Sequence, residues 1–339
     1  MKDHTSARVL QTHSPSLFLE AVEAAARVLR AGDLVAVPTE TVYGLAANAL
    51  VPSAVSRIFT VKSRPKHNPL IVHVCDIEMA RRCVSGWPGL ADRLAAAFWP
   101  GPLTLVLRRS LLIPDVVTAG GNTVGVRLPG HPFIRALIQA CGFPLAAPSA
   151  NLSNELSPTN ASHVERSLGL AIPLIVDGGQ SQVGIESTVV DLTTETPRLL
   201  RPGMIHEESL IAVVGNLATT AANPEGPLKS PGLLLKHYAP KARLVVCRWS
   251  NEAELESLIV KIWPESPRGV SIIAHSQVPL SGRFDHVAVI PHDAEAFARA
   301  IYSELHRCDD EGAELIVVED VPQTPPWRAI RDRLARASR

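Results

Sequence analysis

Short apolar runs suited to buried strands alternate with amphipathic helical stretches along most of this 339-residue chain, and that interleaving restricts the fold more than any other feature. Leu17, Phe18, Ala21, Val22, Ala25 and Val28 fall at helical spacing; with Ser14 and Pro15 as a start and Gly32 as a stop, they predict a helix over Ser16–Ala31. LVAVP, Leu34–Pro38, reads as a short buried strand, and the polar turn TETVYG comes directly after it. Further helices are expected over Ser53–Thr60, Ile77–Val84, Gly89–Phe98 and His131–Cys141. Strands are expected over Leu70–Val74, Leu103–Arg109 and Thr123–Pro129, and in PLAAPSAN, LIVDGG and STVVDLT. A mixed α/β sheet with flanking helices is the class these elements predict.

The texture changes past Ile211. Asn216–Gly232, NLATTAANPEGPLKSPG, lacks hydrophobic periodicity and reads as a domain linker or a lid. From Ala242 a cleaner alternation returns: strand RLVVCRW, helix Glu252–Trp263, strands GVSIIAH and HVAVI, helix Ala294–Cys308, strand ELIVVE and helix Trp327–Ala337. That order predicts a small doubly wound, Rossmann-like α/β domain of about 100 residues. The expected division is a first domain over 1–212, a linker or lid over 213–240, and a C-terminal domain over 241–339. The chain carries no internal repeat and no low-complexity run.

Charge limits the partners. Lys plus Arg number 33 against 33 Asp plus Glu, so the formal net charge is zero. A protein that coats nucleic acid through bulk electrostatics is usually strongly basic, so tight nucleic-acid binding is not expected. Aromatics at 4% leave little for a base-stacking platform. The five cysteines, Cys75, Cys83, Cys141, Cys247 and Cys308, form no C-x-x-C pair, which predicts free thiols rather than a zinc site or disulfide framework. No signal peptide or membrane-length apolar run is present, and a cytoplasmic protein is expected.

Three segments stand out chemically. KSRPKHNPL places Lys62, Arg64, Lys66 and His67 in one proline-stiffened loop before a strand. Lys offers a point charge and Arg a bidentate fork for phosphate or carboxylate, although a solvated basic loop would look the same. PTETVYGL gathers Thr39, Thr41 and Tyr43 with Glu40 at a strand end; ordinary capping threonines are the plain alternative. APSAN offers Ser149 and Asn151 at a turn where backbone amides converge on an anion, or merely cap the next segment of chain. Arg127 sits mid-strand in GVRLP among apolar neighbours and needs a structural or a substrate carboxylate. GIESTVVDL places Ser187 at a strand entrance, LLRPG places Arg201 before a turn, and SPGLLLKHYAP ends the linker with Lys236, His237 and Tyr238. There is no P-loop, no G-x-G-x-x-G after a strand and no G-x-S-x-G.

Taken in order, PTETVYGL, KSRP…NPLIVHV, WPGPLTLVL, VGVRLP, APSAN, GIESTVVD, LRPG and SPGLLLKHYAP resemble the YrdC-like family. The trailing domain makes the chain resemble the family's two-domain threonylcarbamoyl-AMP synthases. The match is dense from about Ala21 to Pro240 and rests on length and pattern beyond. The Lys-x-Arg and Ser-x-Asn pairs are intact as Lys62/Arg64 and Ser149/Asn151; Leu233 stands where Met is more usual.

The resemblance implies a YrdC-like mixed twisted sheet and a synthase that joins L-threonine, bicarbonate or carbon dioxide, and ATP into threonylcarbamoyl-AMP and pyrophosphate. It implies Lys62 and Arg64 as catalytic cations, with Asn68, Thr123, Ser149, Asn151, Ser157, Arg201 and His237 on the ATP side. Around L-threonine it implies Thr41, Tyr43, His73, Arg127, Ala147 and Ser187. Mg²⁺ is expected on the ATP phosphates rather than on protein ligands, and the product is expected to pass to downstream tRNA threonylcarbamoyl-transfer proteins. The same module in carbamoyl-adenylate-handling carbamoyltransferases, or as an RNA-binding module, forms the alternative. The chain's length and cysteine pattern oppose the first, and its neutral charge opposes the second.

Overall fold

Capping residues at both ends convert the first apolar repeat into a helix. In the computed structural model, which describes residues 6–219, 229–231, 238–264, 269–280 and 282–339, β1 (Arg8–Gln11) leads into α1 (Pro15–Arg30). Ser14 accepts a hydrogen bond from the Leu17 amide, and Arg27 and Arg30 occupy the last turn, where the helix dipole favours positive charge. The apolar stripe of α1 buries Ala21, Val22, Ala25 and Leu29, and Phe18 meets Phe133 edge-on at 5.5 Å.

Strands β2 (Val35–Val37) and β3 (Gly44–Asn48) form an antiparallel pair around the buried stretch Thr39–Tyr43. There follow α2 (Pro52–Val61), β4 (Ile71–His73), α3 (Ile77–Cys83), α4 (Gly89–Phe98), β5 (Leu103–Arg108) and α5 (Asp115–Thr118). Next come β6 (Thr123–Arg127), α6 (Pro132–Cys141), β7 (Leu145–Ala146), α7 (Ala161–Leu168) and β8 (Leu174–Asp177). β9 (Thr188–Asp191), β10 (Arg198–Arg201), α8 (Glu207–Val214) and β11 (Ala218–Thr219) complete the sheet, ordered β1-β8-β2-β3-β7-β4-β6-β5-β9-β10-β11. It is mixed: β4 and β6 run parallel, as do β5 and β9, whereas β6 and β5 oppose each other.

Two expectations change. PLAAPSAN is a strand only at Leu145–Ala146, because Pro148 has no amide to continue the ladder and the chain turns at Ser149–Asn151. GLAAN, read as part of a turn and its exit, is a central strand. Its small residues hide it from strand propensity, yet they suit the place: a Cβ on Gly44 would lie 3.3 Å from the Ala147 Cβ.

The described residues divide into two compact units, Met1–Ser153 with Ser157–Leu234, and Asn154–Leu156 with Leu235–Arg339. α8 and β11 thus extend the first unit past residue 212, and Asn154–Leu156 belongs with the second. The remaining expected linker, residues 220–228 and 232–237, lies outside the described residues.

The second unit contains β12 (Arg243–Cys247), α9 (Glu252–Ile262), β13 (Val270–Ala274), β14 (His286–Val289), α10 (Ala294–Asp310), β15 (Leu315–Glu319) and α11 (Arg328–Ala337). Its sheet is wholly parallel, ordered β12-β15-β13-β14. Leu255 and Ile259 of α9 pack on Ile272, Ala274, Leu315 and Val317, while Cys308 of α10 meets Ser271 on the other face. α11 packs against α10 and β12. The chain therefore leaves the neighbouring strands β12 and β15 toward opposite faces, opening a crevice of about 340 Å³ bordered by Trp249, Ser250, His275 and Glu319. Tyr238 is buried in this unit, 5.9 Å from Tyr302 and beneath the Arg333 guanidinium.

Candidate active site

Parallel pairing of β4 with β6 sets His73 opposite Arg127 at the strands' ends, and both side chains are buried. Three neighbours hold the Arg127 guanidinium. Its Nε donates to the Gly101 carbonyl at 3.2 Å, its Nη1 to Thr41 Oγ1 at 3.0 Å, and its Nη2 lies 2.6 Å from Glu40 Oε1. Thr41 is fixed in turn by Thr39, whose hydroxyl lies 2.9 Å from its own. Burial alone would raise the Glu40 carboxyl, but the Arg127 charge together with the nearby Arg127, Gly130 and Glu40 N–H groups holds it below its ordinary value. Burial, reinforced by Arg127, drops His73 to about 3, so its imidazole is neutral.

The basic loop is not solvated at its two key cations. Lys62 is 1% exposed; its ammonium donates to the Ser149 carbonyl at 2.6 Å and also to the Asn151 carbonyl. The Ser153 amide returns a bond to the Lys62 carbonyl at 2.9 Å, tying the Lys-x-Arg and Ser-x-Asn segments together. Arg64 is buried and donates from Nε and Nη2 to the carbonyls of Asn68 and Pro69. Asn68 is 1% exposed with its side-chain oxygen unbonded among the described residues. Lys66 and His67 are exposed. A cavity of about 540 Å³ opens between α2 and α5, with Arg64 and Lys66 at its edge and Phe59 and Val116 in its lining.

A third cluster joins β5, β9 and β10. Ser187 Oγ lies 2.8 Å from Thr104 Oγ1, while Arg201 Nη2 and Nε donate to the Ser187 hydroxyl and carbonyl, each at 3.0 Å. Arg201 Nη1 donates to the Pro231 carbonyl at 3.1 Å. Two residues earlier, Lys229 Nζ meets Asp191 Oδ2 at 2.9 Å and Thr193 Oγ1 at 3.1 Å. The glycine of LRPG is required by close approach: a Cβ on Gly203 would sit 2.4 Å from the Thr188 amide nitrogen. Nearby, the buried Ser157 hydroxyl donates to Glu186 at 2.6 Å.

Thr41, His73 and Arg127 thus form one cluster, Lys62, Ser149 and Asn151 another, and Ser187 with Arg201 a third. Gly101 and Thr104, either side of the β5 entrance, link the first to the third. Ala147 follows β7, its amide bonded to the Ile71 carbonyl. Tyr43 is fully buried, accepts from the Gly178 amide and donates to the Gly179 carbonyl at 2.7 Å; burial raises its hydroxyl above the ordinary value. That makes it a buttress for the turn. Thr123 begins β6, roughly 13 Å along the strand from Arg127. His237 lies outside the described residues. Sequence reasoning placed Glu40 in a candidate segment without giving it a role, and missed Thr104, Glu186 and Lys229. Both carboxylates flank predicted hydroxyls just before a buried strand, a usable but faint signal. Among the described residues, no group of three His, Cys, Asp or Glu side chains is arranged to hold a metal, and no helix is long and apolar enough to cross a membrane. All five cysteines are unpaired.

Comparison with known proteins agrees with this geometry. Residues 27–203 match the Sua5/YciO/YrdC family model described as telomere recombination, and residues 205–339 match the model for the threonylcarbamoyl-AMP synthase C-terminal domain. A protein of Pyrococcus abyssi described as threonylcarbamoyl-AMP synthase is 40% identical over 325 residues, covering 94% of each chain. One of the same description from Bacillus subtilis is 40% identical over 336 residues, covering 97% of this chain and 94% of its own. The crystal structure of P. abyssi Sua5 complexed with L-threonine superposes with a TM-score of 0.90 at 38% identity, covering 98% of both chains. The chain belongs to the Sua5/YciO/YrdC family, in its two-domain threonylcarbamoyl-AMP synthase form.

Proposed function

We propose that this protein condenses L-threonine, bicarbonate and ATP into threonylcarbamoyl-AMP and pyrophosphate. The observation that carries this reading is a pair of buried cations in one domain, Arg127 and Lys62, each fixed by oxygen acceptors from separate motifs. Arg127 takes the threonine carboxylate, with Thr41, neutral His73, the Ala147 backbone and Ser187 around the amino acid and Tyr43 behind it. Lys62 and Arg64 supply positive charge toward the α-phosphate and departing pyrophosphate; Asn68, Thr123, Ser149, Asn151, Ser157, Arg201 and His237 lie on the ATP side.

The chemistry proceeds in two steps. The threonine ammonium and bicarbonate give the carbamate, water and a released proton. A carbamate oxygen then forms a bond to the α-phosphorus as the bond to the pyrophosphate oxygen breaks. No covalent protein intermediate is needed, so catalysis consists of positioning and charge stabilisation. The polar side chains on the ATP side are cationic or neutral apart from Glu186, which is engaged by Ser157, so Mg²⁺ would be carried by the ATP phosphates and would offset their charge. The adenylate would pass to proteins that transfer the threonylcarbamoyl group to tRNA; zero net charge supports delivery through a small molecule over tight tRNA binding. Purified protein given labelled bicarbonate, L-threonine and ATP should form labelled adenylate and release pyrophosphate. Pyrophosphate release that is indifferent to threonine would overturn the reading.

A further inference from the structure

Three side chains beside β4 and β6 keep hydrogen-bonding atoms unused. Glu40 is 6% exposed; the Gly130 amide, its own amide and Arg127 approach its carboxylate, yet neither oxygen receives a close, well-directed hydrogen bond among the described residues. Arg127 Nη2 makes none either: Glu40 Oε1 is 2.6 Å away but off the N–H direction. His73 Nδ1 is the third. A purely structural Arg–carboxylate pair favours the bidentate fork, which satisfies both oxygens. Here the Gly101 carbonyl takes Nε and the Thr41 hydroxyl takes Nη1, so both edges that Nη2 could present as a fork to Glu40 are already half occupied. A buried carboxylate whose donors are poorly directed is under-satisfied, and a ligand that brings well-directed donors relieves that penalty.

We infer that Glu40 accepts the α-amino group of the substrate, so that Glu40 and Arg127 together form a receptor for an amino-acid zwitterion. This rests on the reading that Arg127 takes the substrate carboxylate. The pair is neutral overall, so a zwitterion enters without leaving net buried charge, and its ammonium brings N–H donors to two waiting oxygens. A carboxylate without an amine would leave Glu40 unanswered and crowd two anions onto one guanidinium. Glu40 also gives direction to the first step. Once the ammonium has become a carbamate, its new negative charge is repelled by Glu40 and turns away from it.

Calorimetric binding of L-threonine and of its deaminated analogue, (R)-3-hydroxybutyrate, tests this in the full-length protein. The unmodified protein should prefer threonine by tenfold or more. Glu40→Gln should weaken threonine by at least tenfold and leave the analogue within about twofold, whereas Arg127→Gln should weaken both. Equal weakening of both ligands by Glu40→Gln would show that Glu40 only holds Arg127, and would overturn the inference. So would an unmodified protein that binds both ligands alike, a result that needs no variant to fold. Failure of Arg127→Gln to weaken either ligand would instead remove the carboxylate reading.

Discussion

Replacing Lys62 by Ala separates the structural role of its ammonium group from the catalytic role proposed for it. Its structural role is to satisfy the carbonyls of Ser149 and Asn151, and so to hold the Ser-x-Asn turn. Each carbonyl left without a donor loses ~1–3 kcal/mol when water cannot replace it. Ser149 is partly exposed and admits water, while Asn151 is buried. A stability loss of ~2–3 kcal/mol is therefore expected, a large share of the ~5–15 kcal/mol that separates folded from unfolded domains. Its catalytic role is to place a fixed cation against developing charge, and removing one such group typically lowers turnover ~10²–10³-fold. The assay is pyrophosphate release at saturating substrates, at a temperature where threonine calorimetry still gives full binding stoichiometry. Lys62→Ala should keep threonine affinity within about threefold, because Arg127 and not Lys62 holds that substrate, and should lose at least a hundredfold in turnover. A variant that binds threonine fully and retains a tenth of the turnover would reduce Lys62 to a pin for the turn.

Other perturbations report on separate parts. The unfolded chain protonates His73 below about pH 6.5, whereas the folded protein resists until about pH 3, so this stability is complete above pH 6.5 and declines as pH falls through that window. At ~1.4 kcal/mol per pH unit, the unmodified protein should lose ~2 kcal/mol more than His73→Gln between pH 6.5 and 5 in urea unfolding; equal losses would refute the assignment. Lys229→Ala frees the segment whose Pro231 carbonyl meets Arg201, and should raise the KM for ATP severalfold more than that for threonine, with Lys229→Arg restoring it. An unchanged ATP KM would separate Lys229 from the site. Glu319→Ala removes the acceptor of three consecutive backbone amides, His275 to Gln277, and should destabilise the second unit by ~3 kcal/mol. Added sulfate should raise the unfolding midpoint of that variant by more than its general salting-out effect on the unmodified protein; no difference between the two would refute an anion nest.

How far the site was legible depended on whether residue type or partner carried the information. Helices with an apolar stripe and a cap, such as Pro15–Arg30 and Ile77–Cys83, were readable to within a residue or two because both signals are local. Strand β3 was not, because Gly44–Asn48 is held by its neighbours and not by branched side chains. Arg127 announced itself as a buried cation in need of a partner. Nothing local, however, marked Glu40 as the nearest carboxylate, since the two meet only when β2, β3 and β6 share one sheet. Lys62 and Arg64 stood out by residue type, but their burial depends on carbonyls that the sequence does not distinguish from any others.

The C-terminal sheet shows why a doubly wound fold does not by itself imply a nucleotide site. Its crevice has the expected place, where the chain leaves β12 and β15 toward opposite faces, and it has both devices that hold phosphate in such folds. One is a run of backbone amides after β13; the other is the N-terminus of α9. The chain's own side chains occupy both. Glu319 accepts from the amides of His275, Ser276 and Gln277, while Asn251 accepts from the Glu254 amide and Glu254 from that of Ser250. An incoming phosphate would have to displace carboxylates that already satisfy those donors, in a crevice to which Glu254, Glu319 and Asp320 contribute three negative charges against the single positive charge of Arg248. The absent glycine-rich fingerprint and the occupied amides therefore have one physical meaning: anion-binding geometry is used here to stabilise the fold, and the phosphate chemistry we propose rests on the Lys62–Arg64 loop of the first unit.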